Sequence, residues 1–134
     1  PQALVCEFML RNLGNRPIPW SAGHHFYFSA PWTEGHTRAD YALRIPATRT
    51  LRQAADGSLV PGPVLRPQEP LSAPALLETF HLGLSSPAAV FGPVGVPGQV
   101  AVRIGNGRPP PPEATLVTWT ESETSPFYCV EPWM

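Results

Sequence analysis

Residues 3–10 (ALVCEFML) form an almost unbroken apolar run rich in aliphatic and aromatic side chains, which predicts a strand. Residues 12–17 (NLGNRP) then read as a turn, since Asn and Gly tolerate positive φ and Pro fixes the exit. Residues 20–28 read as a second extended segment that ends on Phe26, Tyr27 and Phe28. A loop over 29–40 leads to a short alternating strand at 41–45, closed by Pro46, and Asp56-Gly57 marks another turn. Between 61 and 74 five prolines exclude a long helix or a central strand. Residues 75–80 are read as one helical turn. Clean strands are predicted at 99–104 (QVAVRI), 114–120 (ATLVTWT) and 127–131 (FYCVE), the first two separated by Gly105-Asn106-Gly107 and four prolines. Short strands divided by turn signals predict an all-β antiparallel sandwich, one domain over residues 1–134.

Composition adjusts this picture. Pro and Gly make up 30 of 134 residues, close to the level of a low-complexity chain. Leu, Val, Phe and Ile nevertheless supply 32 residues, enough for a packed core. Net charge is −1 and the basic residues are dispersed, so neither a nucleic acid nor an anionic membrane is an expected partner. No apolar run is long enough to span a bilayer and no secretory signal is visible, so a cytoplasmic location is expected. All nine basic residues are Arg, which removes mechanisms that need a catalytic lysine. Cys6 and Cys129 lie far apart and are expected to be buried free thiols on strands. The spacing of His24, His25, His36 and His81 matches no ligand pattern, so no metal site is expected.

Two segments carry candidate chemistry. In Gly23-His24-His25-Phe26-Tyr27-Phe28, strand alternation puts His25 and Tyr27 on one face and His24, Phe26 and Phe28 on the other. In Phe127-Tyr128-Cys129-Val130-Glu131-Pro132-Trp133, alternation puts Phe127, Cys129 and Glu131 together. A carboxylate at the end of an apolar strand is expensive to bury unless paired, which makes Glu131 a candidate general base. Taken by themselves, both residues also fit ordinary structural roles. Residues 108–112 (RPPPP) are either a polyproline II ligand for a partner or a stiff loop between two strands, and their position between strands favours the loop.

The first segment, with Asn12 and Pro19 ahead of it, resembles the G-x-H-P-Y-F block of the aldose 1-epimerases, the galactose mutarotases and their hexose phosphate relatives. Phe26 stands where that block has Pro. The second segment resembles the family's C-x-E-P block, and the two occur in the family's order. The resemblance implies a galactose mutarotase-like supersandwich with a sugar groove on its concave face, and a reaction that interconverts α and β anomers of a hexose or hexose phosphate. It implies Glu131 as base at the C1 hydroxyl, His25 as acid at the ring oxygen, and no cofactor. It also implies a mid-chain acidic residue for substrate binding, which falls on Glu78. Family members are longer and draw an Arg and a second His from a preceding region. The chain is therefore expected to match a central-to-late stretch of such a sandwich, incomplete by itself. The expected partner is a small sugar; oligomeric state is not legible. The alternative is a non-catalytic carbohydrate-binding β-sandwich using Trp20, Trp32, Trp119 or Trp133 as stacking platforms.

Overall fold

The computed structural model describes residues 2–105 and 108–134. They form an all-β structure of ten strands in two antiparallel sheets. The strands are β1 (Tyr27–Ser29), β2 (Tyr41–Arg44), β3 (Ala47–Gln53), β4 (Leu59–Pro61), β5 (Glu69–Pro70), β6 (Thr79–Leu84), β7 (Ala88–Pro93), β8 (Val100–Arg103), β9 (Thr115–Trp119) and β10 (Phe127–Trp133). The larger sheet has the order β1-β10-β9-β6-β3-β4, and the smaller the order β5-β2-β7-β8. Among the described residues, no helix is long and apolar enough to cross a membrane.

The core lies between the sheets. Leu116, Tyr128 and Val130 point inward from the larger sheet to meet Tyr41, Leu43, Ala89, Phe91 and Val102 of the smaller one. Each set follows the period-two alternation of its strand. The Tyr41 hydroxyl keeps its buried oxygen satisfied by donating to Thr33 Oγ1 (2.9 Å) and accepting from the Trp32 and Thr33 amides (3.0 and 2.8 Å). Trp32 packs edge-on against Tyr41 and Phe91, so it belongs to this core rather than to a stacking platform.

A single guanidinium ties the loops to the core. Arg38, in a 3-10 turn at Arg38–Asp40, is 7% exposed. It donates to the carbonyls of Leu71 (3.0 Å), Ser122 (2.9 Å) and Glu123 (3.1 Å) and to Thr120 Oγ1 (3.3 Å), and it lies 5.1 Å from the centroid of Tyr128. Arg has the donors, fixed in one plane, that several converging carbonyls require.

His81 of β6 is fully buried, with Nε2 2.8 Å from Thr118 Oγ1. Burial pushes its imidazole down to about 4, so it is neutral in the folded protein. The unfolded chain takes up this proton near pH 6.5, whereas the folded chain resists it until about pH 4. Stability is therefore full above about pH 6.5 and declines as pH falls to about 4, by on the order of 3 kcal/mol. The exposed carboxylates of Asp40 and Asp56, held below their usual range by hydrogen bonds from Thr37 and Ser58, act only below that window. Urea unfolding at pH 7 and pH 4.5 should show the loss in the wild type and a much flatter profile in His81→Leu. Equal slopes would remove His81 as the cause.

Several sequence expectations are corrected. Residues 3–10 form no strand: Leu4, Val5, Phe8, Met9 and Leu10 are exposed, and no neighbouring strand takes their backbone groups. Cys6 is consequently exposed, not buried, while Cys129 is buried on β10 as expected. Strand propensity without a hydrogen-bonded partner does not make a sheet. In residues 20–28 only Tyr27 and Phe28 enter a strand, together with an isolated bridge from Gly23 to Trp133. The helical turn expected at 75–80 ends early, as a 3-10 turn at Pro74–Leu76, and β6 begins at Thr79. Strands β3 to β7 also lie outside the sequence expectations: Arg49 and Arg52 interrupt β3 and His81 interrupts β6, β4 and β5 are only three and two residues long, and β7 is a short apolar run without alternation. The proline tract connects β8 to β9 across the sheets, with Pro110 and Pro111 half-buried. Part of the turn expected before it, Asn106 and Gly107, lies outside the described residues.

Candidate active site

Strand β10 is the organising element. It lies between β1 and β9, and its residues from Tyr128 to Glu131 are buried on both faces. Tyr128 and Val130 face the core. Cys129 and Glu131 face away from it; Tyr27 of β1 and Trp119 of β9 are the register partners of Cys129, and Trp133 of β10 itself lies against Glu131.

Register brings His25 opposite Glu131. The pairs Tyr27↔Cys129 and Gly23↔Trp133 flank this position, and backbone bonds link Ala22 with Met134 and the His24 amide with the Pro132 carbonyl. These even-numbered pairs carry the hydrogen bonds, so 25 and 131 form a non-hydrogen-bonded pair, the kind in which side chains approach most closely. His25 Nε2 lies 3.1 Å from Glu131 Oε1. The remaining oxygen, Oε2, accepts from Trp133 Nε1 at 3.1 Å. A carboxylate that is 4% exposed thus has a donor on each oxygen. Pro132 fits this strand because its missing N–H would have pointed toward His24, on the poorly paired side.

Aromatic rings fix the imidazole. His25 stacks on Tyr27 (centroids 4.7 Å apart) and meets Trp119 edge-on (5.4 Å), and Trp119 stacks on Phe127 (5.8 Å). The His25 side chain remains 43% exposed, so the pair is reachable from solvent. On the opposite face His24 stacks against Phe26 (3.8 Å), while Phe28 meets Phe91 in the core. The alternation expected for this segment is present, and Phe26 points away from the pair.

Gly23 has a specific reason to be glycine. A Cβ at this position would lie 2.2 Å from the Trp133 indole, which crosses directly over it. Without that close approach the indole could not hold Glu131 Oε2.

Glu78 is exposed, with φ of 45°, at the turn into β6, and in register it lies beside Trp119, on the rung of Cys129 rather than that of Glu131. Among the described residues no hydrogen bond or ion pair joins it to His25 or Glu131. Trp20 is 55% exposed, outside the aromatic group around the pair. His36 and His81 sit away from His25, the latter in the core. An open cavity of about 440 Å³ lined by Arg44, Ile45, Pro46, Pro67, Ser86, Ala88 and Val90 belongs to the smaller sheet and holds no acid–base pair.

Cys129 lies between these groups, fully buried, and burial together with the Glu131 charge pushes its thiol up to about 12. With no cation beside it, the thiol is therefore neutral near physiological pH. The face therefore offers a buried, oriented carboxylate, a half-exposed imidazole in contact with it, and aromatic rings around both. No family model, curated protein or solved structure matches the chain.

Proposed function

We propose that this chain carries the acid–base pair of an aldose 1-epimerase, an enzyme interconverting the α and β anomers of a hexose or hexose phosphate. The observation that supports this reading is the 3.1 Å contact between His25 and Glu131 on an aromatic sheet face. The C1 hydroxyl and the ring oxygen of a pyranose are bonded to the same carbon. An acid and a base standing side by side can each address one of those oxygens.

In ring opening, Glu131 takes the C1 hydroxyl proton while His25 Nε2–H donates to the ring oxygen. The C1–O5 bond breaks, and the C1 oxygen becomes the carbonyl of the open-chain aldehyde. Rotation about C1–C2 presents the other carbonyl face, and the protons return in reverse on closure. Redox state does not change, so neither electrons nor a cofactor enter the balance. Trp133 orients Glu131, and Trp119 and Tyr27 offer flat apolar surfaces for the C–H faces of a sugar. The resemblance of the Gly23–Phe28 and Phe127–Trp133 segments to the aldose 1-epimerase blocks adds to this reading, as does the all-β sandwich; the supersandwich type and the contribution of further chain to the groove belong to the same proposal.

Polarimetry of freshly dissolved α-glucose and α-galactose, with and without protein, tests it. The expected result is a decay to equilibrium faster than the spontaneous one; an unchanged decay for free and phosphorylated sugars overturns it. The same aromatic face would also serve a binding module without catalysis. Exchange spectroscopy by NMR separates the two, since a binding module shifts sugar resonances without speeding anomer exchange.

Gly23→Ala is expected to lower the mutarotation rate roughly tenfold, the equivalent of losing about 1–1.5 kcal/mol from one orienting hydrogen bond. The indole must move off the new methyl group and releases Glu131 Oε2. Tryptophan fluorescence should change in parallel; a wild-type rate and spectrum would disprove the coupling.

A further inference from the structure

We propose that His25, Cys129 and Glu131 form a three-ligand site for a soft divalent cation of the zinc class, and that occupancy of this site silences the acid–base pair. The three residues each present one donor atom, a nitrogen, a sulfur and a carboxylate oxygen, all within 4.8 Å of one another. Zinc bonds of roughly 2.0–2.3 Å at tetrahedral angles place donors roughly 3.3–3.7 Å apart. The His25–Glu131 separation of 3.1 Å is already near that spacing, so the closing movement falls mainly on the sulfur.

The supporting structure suits a metal site. The ligands come from adjoining backbone segments in fixed register, with Cys129 and Glu131 two residues apart on one face of β10. Trp133 occupies Glu131 Oε2 and leaves Oε1 as the coordinating atom, the outer partner that orients a ligand. The exposed side of His25 leaves a fourth position for water, as in zinc sites with three protein ligands. A thiolate in the set selects zinc, cobalt or cadmium over magnesium and calcium.

Binding is balanced by release of protons to solvent. The sulfur–metal bond forms as the thiol proton leaves, and the nitrogen–metal bond forms as the Nε2 proton that His25 would give to the ring oxygen leaves, with the imidazole keeping its N–H on Nδ1. Metal occupancy thereby takes Nε2 and Oε1, the two atoms that move protons in the proposed epimerase reaction. Silencing rests on that reaction; metal binding does not.

The test uses the full chain carrying Cys6→Ser, so that Cys129 is the sole thiol, titrated with cobalt(II) chloride. The expected result is one equivalent bound, with a thiolate-to-cobalt charge-transfer band in the near ultraviolet. Cys129→Ser in the same background should lose that band. His25→Ala should weaken binding by at least about tenfold, the lower range found even for outer partners of a metal ligand, with near-ultraviolet circular dichroism verifying that the packing is kept. Absence of the band in Cys6→Ser, or a band unmoved by His25→Ala and Glu131→Gln, would overturn the site. Wild-type chain is then assayed for mutarotation with saturating zinc and after chelation. Loss and recovery of rate support silencing, and an undiminished rate refutes it. A cobalt band in a chain without mutarotase activity would keep the metal site and remove the epimerase reading.

Discussion

Glu131→Gln is expected to lower the rate of sugar mutarotation by about 10²–10⁴-fold, with the fold intact. The carboxamide keeps the shape of the carboxylate, and its oxygen still accepts a hydrogen bond from either Trp133 Nε1 or His25. What it loses is the ability to take a proton from the C1 hydroxyl. Because Glu131 is 4% exposed and held on both oxygens, solvent does not readily supply a substitute base at that point. Polarimetry gives the rate, and near-ultraviolet circular dichroism of the surrounding Trp and Tyr side chains verifies the packing. A variant with wild-type rate would remove Glu131 from the mechanism. A variant slow only because it is unfolded would reveal itself in the dichroism, and Glu131→Asp would then serve as the second substitution, retaining charge while withdrawing the carboxylate from His25.

Arg38→Leu is expected to destabilise the fold by about 2–4 kcal/mol, a large part of the total stability of a domain. The cost comes from lost donors: the Leu71 and Glu123 carbonyls lose their guanidinium partner, and the Ser122 carbonyl keeps only Thr120 Oγ1 and the Ser125 amide. Arg38→Lys should recover only part of it, since one ammonium cannot reproduce a planar fork that reaches loops on either side of the core. Urea unfolding of the three proteins measures both effects. A loss below about 1 kcal/mol for Arg38→Leu would mean that water replaces the guanidinium and that these loops are held by other contacts.

How much of the site was legible follows from which distances are local. His25 and Tyr27 share a face, as do Cys129 and Glu131, because alternation in an extended chain is fixed by backbone geometry. Those groupings needed no tertiary information. That His25 stands against Glu131 depends on the register between β10 and a segment about a hundred positions earlier in the chain. No local pattern encodes such a register; it is set by which faces are buried and which backbone groups remain to be paired. Glu78 is a candidate only through the family resemblance, and register sets it beside Trp119, exposed at the turn into β6.

Residues 3–10 mark another boundary of sequence inference. Their apolar, strand-prone composition is real, but a strand exists only through hydrogen bonds to a neighbour, and none is present for them. The weakly patterned β3 and β6 lie inside the larger sheet because β4, β6 and β9 supply those bonds. The sequence by itself determined the all-β class, the strands β2, β8, β9 and β10, and the chemical groups available on each face. Only the tertiary structure decided that Trp133 crosses Gly23 to hold Glu131, that Arg38 gathers three loop carbonyls, and that imidazole, thiol and carboxylate meet. Those outcomes depend on close approach between distant segments, which packing and register impose and local propensity does not.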